Sequence, residues 1–454
     1  MRSTVDRARL AELTEREEHT FTARHPRSAA MVERARASML GGVPMPWMTM
    51  WAGPYPIFVD QAEGARFTCV DGHTYVDLCL GDTGAMAGHS PAATAKAVAE
   101  QASHGVTFML PTEDSIWVSE EMSRRFGLPY WQYCLSATDA NRFILRLARA
   151  TAGRPKVLVF NYCYHGTVDE TFITIEDGVP SVRPGCAGAP VDPTVTTKVV
   201  EFNDVDGLAK ALADEDVAVV LAEPAMTNEG IILPEPGFHD ALRDLTRRHG
   251  TLLALDETHT ICAGPGGATR AWGLDPDIIT IGKPLAGGVP AASYGLSAEL
   301  GERIIGGGGV GATEADGIGG TLAGNALTIA AMRATLEHVL TFEAFERMLP
   351  LGERWADDVQ GVIDDTEAPW SVTRLGARAE YWTSPNRPRN GGEAKATDDE
   401  EVDAFFHLYC LNRGVMLTPF HNMALMSPAT TAEDVDAHTA VFAEGTAELL
   451  AVPR

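Results

Sequence analysis

The sequence predicts an α/β protein: a mainly parallel central sheet flanked by helices, with a smaller α+β domain attached. Three observations predict it. From about residue 90, short apolar strands alternate with helical segments, the pattern of crossover units packed on both faces of a sheet. The runs VAVVLA, TLLALD and DIITI are apolar throughout, as strands covered on both faces must be. A chain of 454 residues with 45% apolar content has enough material for one large core and a second, smaller one.

The elements follow in order. Residues 1–40 read as charged helix, and MRSTVDRARLAELTEREEHTF lacks the apolar centre of a signal peptide. GGVPMPWMTMWAGPYP (41–56) is irregular, dense in Gly, Pro and large apolar groups. FVDQAEGARFTCVDGHTYVDLCLG reads as short strands with a hairpin turn at Asp71-Gly72. Helices are expected at 91–103 and 112–126, a strand at 130–136, a helix at 138–152 and a strand in KVLVFN. VAVVLAEP (217–224) is a strand, and GFHDALRDLTRRHG (237–250) a helix stopped by Gly250. TLLALDE (251–257) and PDIITIG are strands, and a long helix at about 325–341 leaves this region. The remainder mixes helices with strands such as SVTRLGARAEYWTS and GVMLTPF. The expected division is 1–70 as a segment joining the small domain, 71–335 as the large domain and 336–454 as the C-terminal small domain.

A net charge of −26 argues against nucleic acid or an anionic membrane surface as partner. The seven cysteines are odd in number and form no CxxC pair, which predicts a reduced, intracellular chain without a zinc site. No apolar run reaches membrane-spanning length. The expectation is a cytoplasmic protein with no bound metal.

Ligand sites in open α/β sheets lie beyond the carboxyl ends of the strands, and four groups of residues fall there. In TIGKPLAGGVP (280–290), Lys283 follows a buried strand; it is one of only six lysines. Desolvation favours the neutral amine, the form that attacks a carbonyl, although a strand-end lysine can equally snorkel to the surface. Asp256 ends the strand TLLALD, so an acid and a lysine share one edge. That pair is the equipment for pyridoxal phosphate (PLP), the lysine bonding the aldehyde and the acid holding the ring nitrogen protonated. SATDAN (136–141) opens a helix with Ser136 and Thr138, which suits either a phosphate or an ordinary N-cap. NYCYHG (161–166) puts an aromatic side chain at a strand end, free to stack on a planar ring or to pack in the core. GGTLAGN (319–325) offers Thr321 as a second phosphate donor. The glycine run Gly306–Gly311 fits GxGxxG but lacks the strand–turn–helix setting of a dinucleotide site.

Taken together, these motifs resemble the class III (omega-) aminotransferases of the fold type I PLP-dependent superfamily, in the branch of glutamate-1-semialdehyde aminomutase and the β-amino-acid and amine transaminases. The resemblance runs from about residue 40 to 445 and includes EGARFTCVDGHTYVDL, SATDAN, YHGTVDE, AEPAMTNEGIILPEPGF, LDETHT, IGKPLAGGVPAASYG and GTLAGNAL. It implies that Lys283 carries PLP and that Asp256 pairs with its pyridine nitrogen. It further implies that Tyr164 stacks on the ring with His165 and Gly166 beside it, and that Thr258 packs behind. Ser136, Ala137 and Thr138 hold the phosphate, with Ala137 standing where the family has Gly. His259, where relatives place Gln or Met, is expected to reach the phenolic oxygen, and Glu223 and Asn228 lie near the site. Thr321 is expected to reach the phosphate of a neighbouring subunit, which implies a homodimer or a larger homo-oligomer.

The resemblance also marks departures. Relatives acting on amino acids often carry an arginine after the GG segment and another late in the small domain, where each can pair with a substrate carboxylate. Here those places read GGVPMPWMTMW, with Trp47 or Met48, and GVMLTPFHNMALM, with Phe420 and His421. Trp47, Met48, Trp51, Tyr55, Met86 and Phe108 are the candidate pocket residues. The expected reaction is ping-pong transfer of an amino group from a bulky, carboxylate-free amine to a keto acid such as pyruvate, with S selectivity. Arg270 or His421 is the candidate for the acceptor carboxylate. An aminomutase, racemase or decarboxylase on the same fold, a β-amino-acid transaminase, and a catalytically silent binding protein remain as other readings.

Overall fold

The computed structural model describes residues 5–186, 192–306 and 317–451, so most of the glycine run at 306–311 lies outside the described residues. Two compact units emerge. The large one is Ala92–Phe342 with Pro388–Ala396; the other takes the chain up to Pro91, Glu343–Arg387 and the chain from Thr397 on. The expected divisions at 70/71 and 335/336 are therefore corrected. Thr74–Asp77 pairs with Arg66–Cys69 on one side and Val415–Met416 on the other, which commits the chain beyond residue 71 to the small unit. At the other end, Ala326–His338 packs along Ala92–His104 and so belongs to the large unit through its full length.

The large unit is built on seven strands in the order Tyr130–Cys134, Ala292–Leu296, Ile278–Ile281, Leu252–Asp256, Val217–Ala222, Lys156–Phe160, Thr197–Val200. The last five run parallel to one another; Ala292–Leu296 is antiparallel to both its neighbours. Sequence reading did not separate that strand from the glycine turn before it. Every residue of Val217–Ala222 and Ile278–Ile281 is buried, which accounts for their unbroken apolar sequence. The helix Ala137–Ala152 is capped by Ser136, whose Oγ accepts from Asp139 N at 3.2 Å, and ends at Gly153 in the left-handed region (φ 65°).

The small unit holds a four-stranded sheet (Val59–Glu63, Arg66–Cys69, Thr74–Asp77, Val415–Met416) and a three-stranded antiparallel one (Ser371–Leu375, Arg378–Trp382, Met423–Leu425). The turn at Asp71-Gly72 joins two antiparallel strands, with Gly72 at φ 85°. The N-terminal helix Arg7–Arg24 packs on Glu400–Asn412. There Arg413 bonds Glu17 Oε2 at 3.0 Å and its guanidinium lies 3.3 Å from the Tyr409 ring centroid, so this arginine is part of the packing. No helix among the described residues is long and apolar enough to cross a membrane.

Candidate active site

Leu252–Asp256 and Ile278–Ile281 are parallel neighbours in which Asp256 lies opposite Thr280. The two carboxyl ends are thus side by side, and Asp256 and Lys283 leave the same edge of the sheet. Thr258 ties the two ends together: its Oγ1 accepts from Gly282 N at 3.2 Å. Gly282 abuts the start of the Ala137–Ala152 helix so closely that a Cβ there would lie 3.1 Å from Ala137 Cβ. The methyl that Ala137 adds, relative to a glycine, is accommodated because its neighbour has none.

Asp256 is buried and held from three directions. Its Oδ2 accepts from Asn141 Nδ2 at 2.9 Å and lies 3.0 Å from His165 Nδ1, while Oδ1 accepts from Thr258 N at 3.1 Å. Burial works against the carboxylate, but His165, Thr258 and Asn141 outweigh it and hold the acid down at about 2. For His165, burial opposes the imidazolium; Cys163 and the Asp256 carboxylate prevail and push it up to about 10. Asn141 is the residue that sequence reading passed over. Its Nδ2 also donates to His165 O at 3.0 Å and its Oδ1 accepts from Thr280 Oγ1 at 2.7 Å. A polar residue on the apolar stripe of Ala140, Ile144 and Ala148 was the available signal.

Lys283 opens a single helical turn, Lys283–Ala286, with its backbone in the left-handed region at φ 51°. Its Nζ lies 2.6 Å from His259 Nε2. Tyr164 is half-buried just past the strand Lys156–Phe160. Asn228 Nδ2 donates to Tyr162 O at 2.9 Å, bracing the same loop. Glu223 is buried and accepts from Thr227 N at 3.2 Å; burial pushes its carboxyl up to about 7.

At the head of the Ala137–Ala152 helix, Thr138 Oγ1 accepts from Thr167 N at 3.0 Å. Gly166 stands against it at φ 78°, where a Cβ would come within 2.2 Å of Thr138 Oγ1 and 2.9 Å of Thr138 Cα. Gly166→Ala is expected to cost about 2 kcal/mol or more, from the left-handed backbone and the overlap together. Urea denaturation checks this; an unchanged midpoint would remove the argument for a glycine-only cradle.

Thr321 lies elsewhere, on an exposed turn lining an open groove of ≈ 940 Å³ with Leu110, Ile116 and Tyr133. Phe108 is exposed in the large unit. In the small unit, Trp47 and Met48 keep about 40% and 39% of their surface exposed, and Trp47 meets Phe420 edge-on, centroids 5.8 Å apart at 73°. Trp51 is half-buried. Two candidates are corrected. Met86 is fully buried, and Tyr55 packs on the core cluster of Phe21 and Tyr75 with its hydroxyl donating to His25 O at 3.2 Å, so both belong to the packing of this unit rather than to an open pocket wall. Arg270 is exposed; the side chain of His421 is buried, 3.7 Å from Glu380 Oε1.

These residues fit PLP. A buried, anionic carboxylate suits a protonated ring nitrogen, a lysine shares its edge, and a helix start carrying the Ser136 and Thr138 hydroxyls suits a phosphate. The fold and this set of residues define a PLP-dependent enzyme of fold type I, of the aminotransferase type. More particularly, the chain belongs to the class III aminotransferase family, whose sequence pattern, Aminotransferase class-III, matches residues 47–443. It is 32% identical over 444 residues to glutamate-1-semialdehyde 2,1-aminomutase of Chloroflexus aggregans, covering 94% of this chain and 99% of that one. Among solved structures it is similar to a glutamate-1-semialdehyde-aminomutase from Pseudomonas aeruginosa PAO1 in complex with PMP (49% identity, TM-score 0.95, 98% of this chain and 99% of that chain). It is also similar to an omega-transaminase from Sphaerobacter thermophilus (28%, TM-score 0.85, 93% and 97%).

Proposed function

We propose that the protein is a transaminase that moves an amino group from a bulky, carboxylate-free amine to a keto acid such as pyruvate, with S selectivity. The observation that carries this reading is the Trp47–Phe420 contact. The two segments in which relatives acting on amino acids often carry a carboxylate-binding arginine meet here as an aromatic pair. Such a surface favours apolar substituents and offers no fork of donors to a carboxylate.

PLP, when bound, supplies an electron sink for the carbon that exchanges its proton. In this reading the chain does the rest. Asp256 keeps the ring nitrogen protonated. Thr138 and Gly166 hold the phosphate, with Ser136 and Ala137 shaping the helix start. Tyr164 covers one ring face and Thr258 the other, while Glu223 and Asn228 brace the surrounding loops. Lys283 binds the aldehyde and then, as a free amine, moves the proton. The protein acts in the cytoplasm as a homodimer, Thr321 reaching the partner's phosphate across the groove; the exposed Met109, Leu110 and Ile116 beside that groove support the pairing.

A second reading, an aminomutase that relocates the amino group within one substrate, is favoured by the names of the relatives at 32% and 49% identity. The test is the absorbance of the loaded protein with (S)-1-phenylethylamine. Bleaching of the long-wavelength band, reversed by pyruvate with release of alanine, is the expected result. If only amino acids or amino aldehydes bleach the band, the carboxylate-free reading fails, and isomerised product without added keto acid would establish the aminomutase.

A further inference from the structure

The structure puts His259 Nε2 2.6 Å from Lys283 Nζ. At that separation a single proton lies between the two nitrogens, and both cannot present one to the other. The pairing is built in from both sides. The loop carrying His259 is pinned to the lysine's own turn by Thr258 Oγ1 accepting from Gly282 N, and Cys262 N bonds back to His259 O at 3.3 Å. Lys283 itself opens the turn Lys283–Ala286 with its backbone in the left-handed region. The two acids next to His259 in the chain are committed elsewhere. Asp256 faces His165, Asn141 and the Thr258 amide; Glu257 accepts from Thr260 Oγ1 and the amides of Ala268 and Thr269.

We propose that His259 is the proton-transfer partner of Lys283 when the lysine captures a carbonyl. The inference rests on the reading of Lys283 as the aldehyde-binding amine. A proton passes from the Nζ ammonium to Nε2, the freed lone pair forms the bond to the carbonyl carbon, and the C=O pair moves onto oxygen. That oxygen leaves as water with two protons, one directly from Nζ and one returned by Nε2. The products are a protonated C=N bond and neutral His259; no electrons are gained or lost. An imidazole suits this exchange because it takes up and releases protons near neutral pH.

The test uses the full chain stripped of cofactor and mixed at neutral pH with PLP or with pyridine-4-carbaldehyde, which lacks the ring hydroxyl. Adducts are trapped with borohydride, and the rate of labelling at Lys283 is read by mass spectrometry. Both His259→Phe and His259→Gln are expected to slow capture of both aldehydes by about 100-fold. Added imidazole is expected to restore His259→Gly at least tenfold. Capture at the wild-type rate by either the Phe or the Gln variant overturns the proposal. So does slowing confined to PLP, since His259 would then act on the ring hydroxyl, and so does a failure of imidazole to rescue. If the wild-type chain labels at other lysines but not at Lys283, the aldehyde-binding reading itself falls, and the inference with it.

Discussion

Lys283→Ala is expected to lower turnover by about 10⁴-fold or more, because in the proposed reaction one amine both binds the aldehyde and moves the substrate proton. The other lysines offer no substitute. Of the other five, Lys96 pairs with Glu100, Lys156 and Lys198 with Asp216, and Lys395 with Glu229, while Lys210 lies on the helix Val205–Leu212. The protein should still fold, since Lys283 is only half-buried and the turn that follows it is held by Gly287 N bonding Pro284 O. The comparison is of kcat and of the cofactor band in the two proteins. A variant retaining a hundredth of the wild-type rate would show that another group carries the chemistry.

Asp256→Asn should cost both activity and stability. For activity, loss of the anion proposed to face the ring nitrogen is expected to reduce turnover by roughly 10²–10³-fold, the scale of a single misplaced electrostatic stabiliser. For stability, the cofactor-free protein loses the counter-charge of a buried imidazolium, a change worth about 3–5 kcal/mol. The effect has a pH window. Asp256, lowered from 3.8 to about 2, contributes stability that is present above 3.8 and lost as pH falls through 2. His165, raised from 6.5 to about 10, contributes stability that is present below 6.5 and lost as pH rises through 10. The difference between wild type and variant in urea unfolding is therefore expected to peak between about pH 4 and 6.5 and to shrink towards pH 10. A difference independent of pH over that range would mean that His165 is not held charged by this carboxylate.

The strand edge was legible because a buried strand that ends in a charged residue is a local signal, and two such strands in succession pair in parallel. That pattern put Asp256 and Lys283 on one edge, and the roles expected of them came from the resemblance. His165 and Asn141 lie 91 and 115 positions from Asp256, and only the sheet order brings them to it. In the sequence, Asn141 is one polar residue in a helix and His165 one of several residues able to face a ring. Burial was the least legible property. Met86 and Tyr55 have the composition of pocket residues, yet the first lies wholly inside and the second is claimed by Phe21 and His25. The boundary of the large unit was misplaced for a related reason: Thr74–Asp77 finds its second partner in Val415–Met416, more than three hundred residues away, and no local pattern announces such a pairing.

The left-handed backbone at Lys283 also bears on how this protein can be improved. A side chain with a Cβ at φ 51° costs about 1–2 kcal/mol relative to glycine. Glycine at 283 would relieve that cost and remove the amine proposed to bind the aldehyde. A screen that rewards heat resistance alone would drift towards an inert protein at this position, and an engineer seeking a hardier catalyst must look for the missing stability somewhere else.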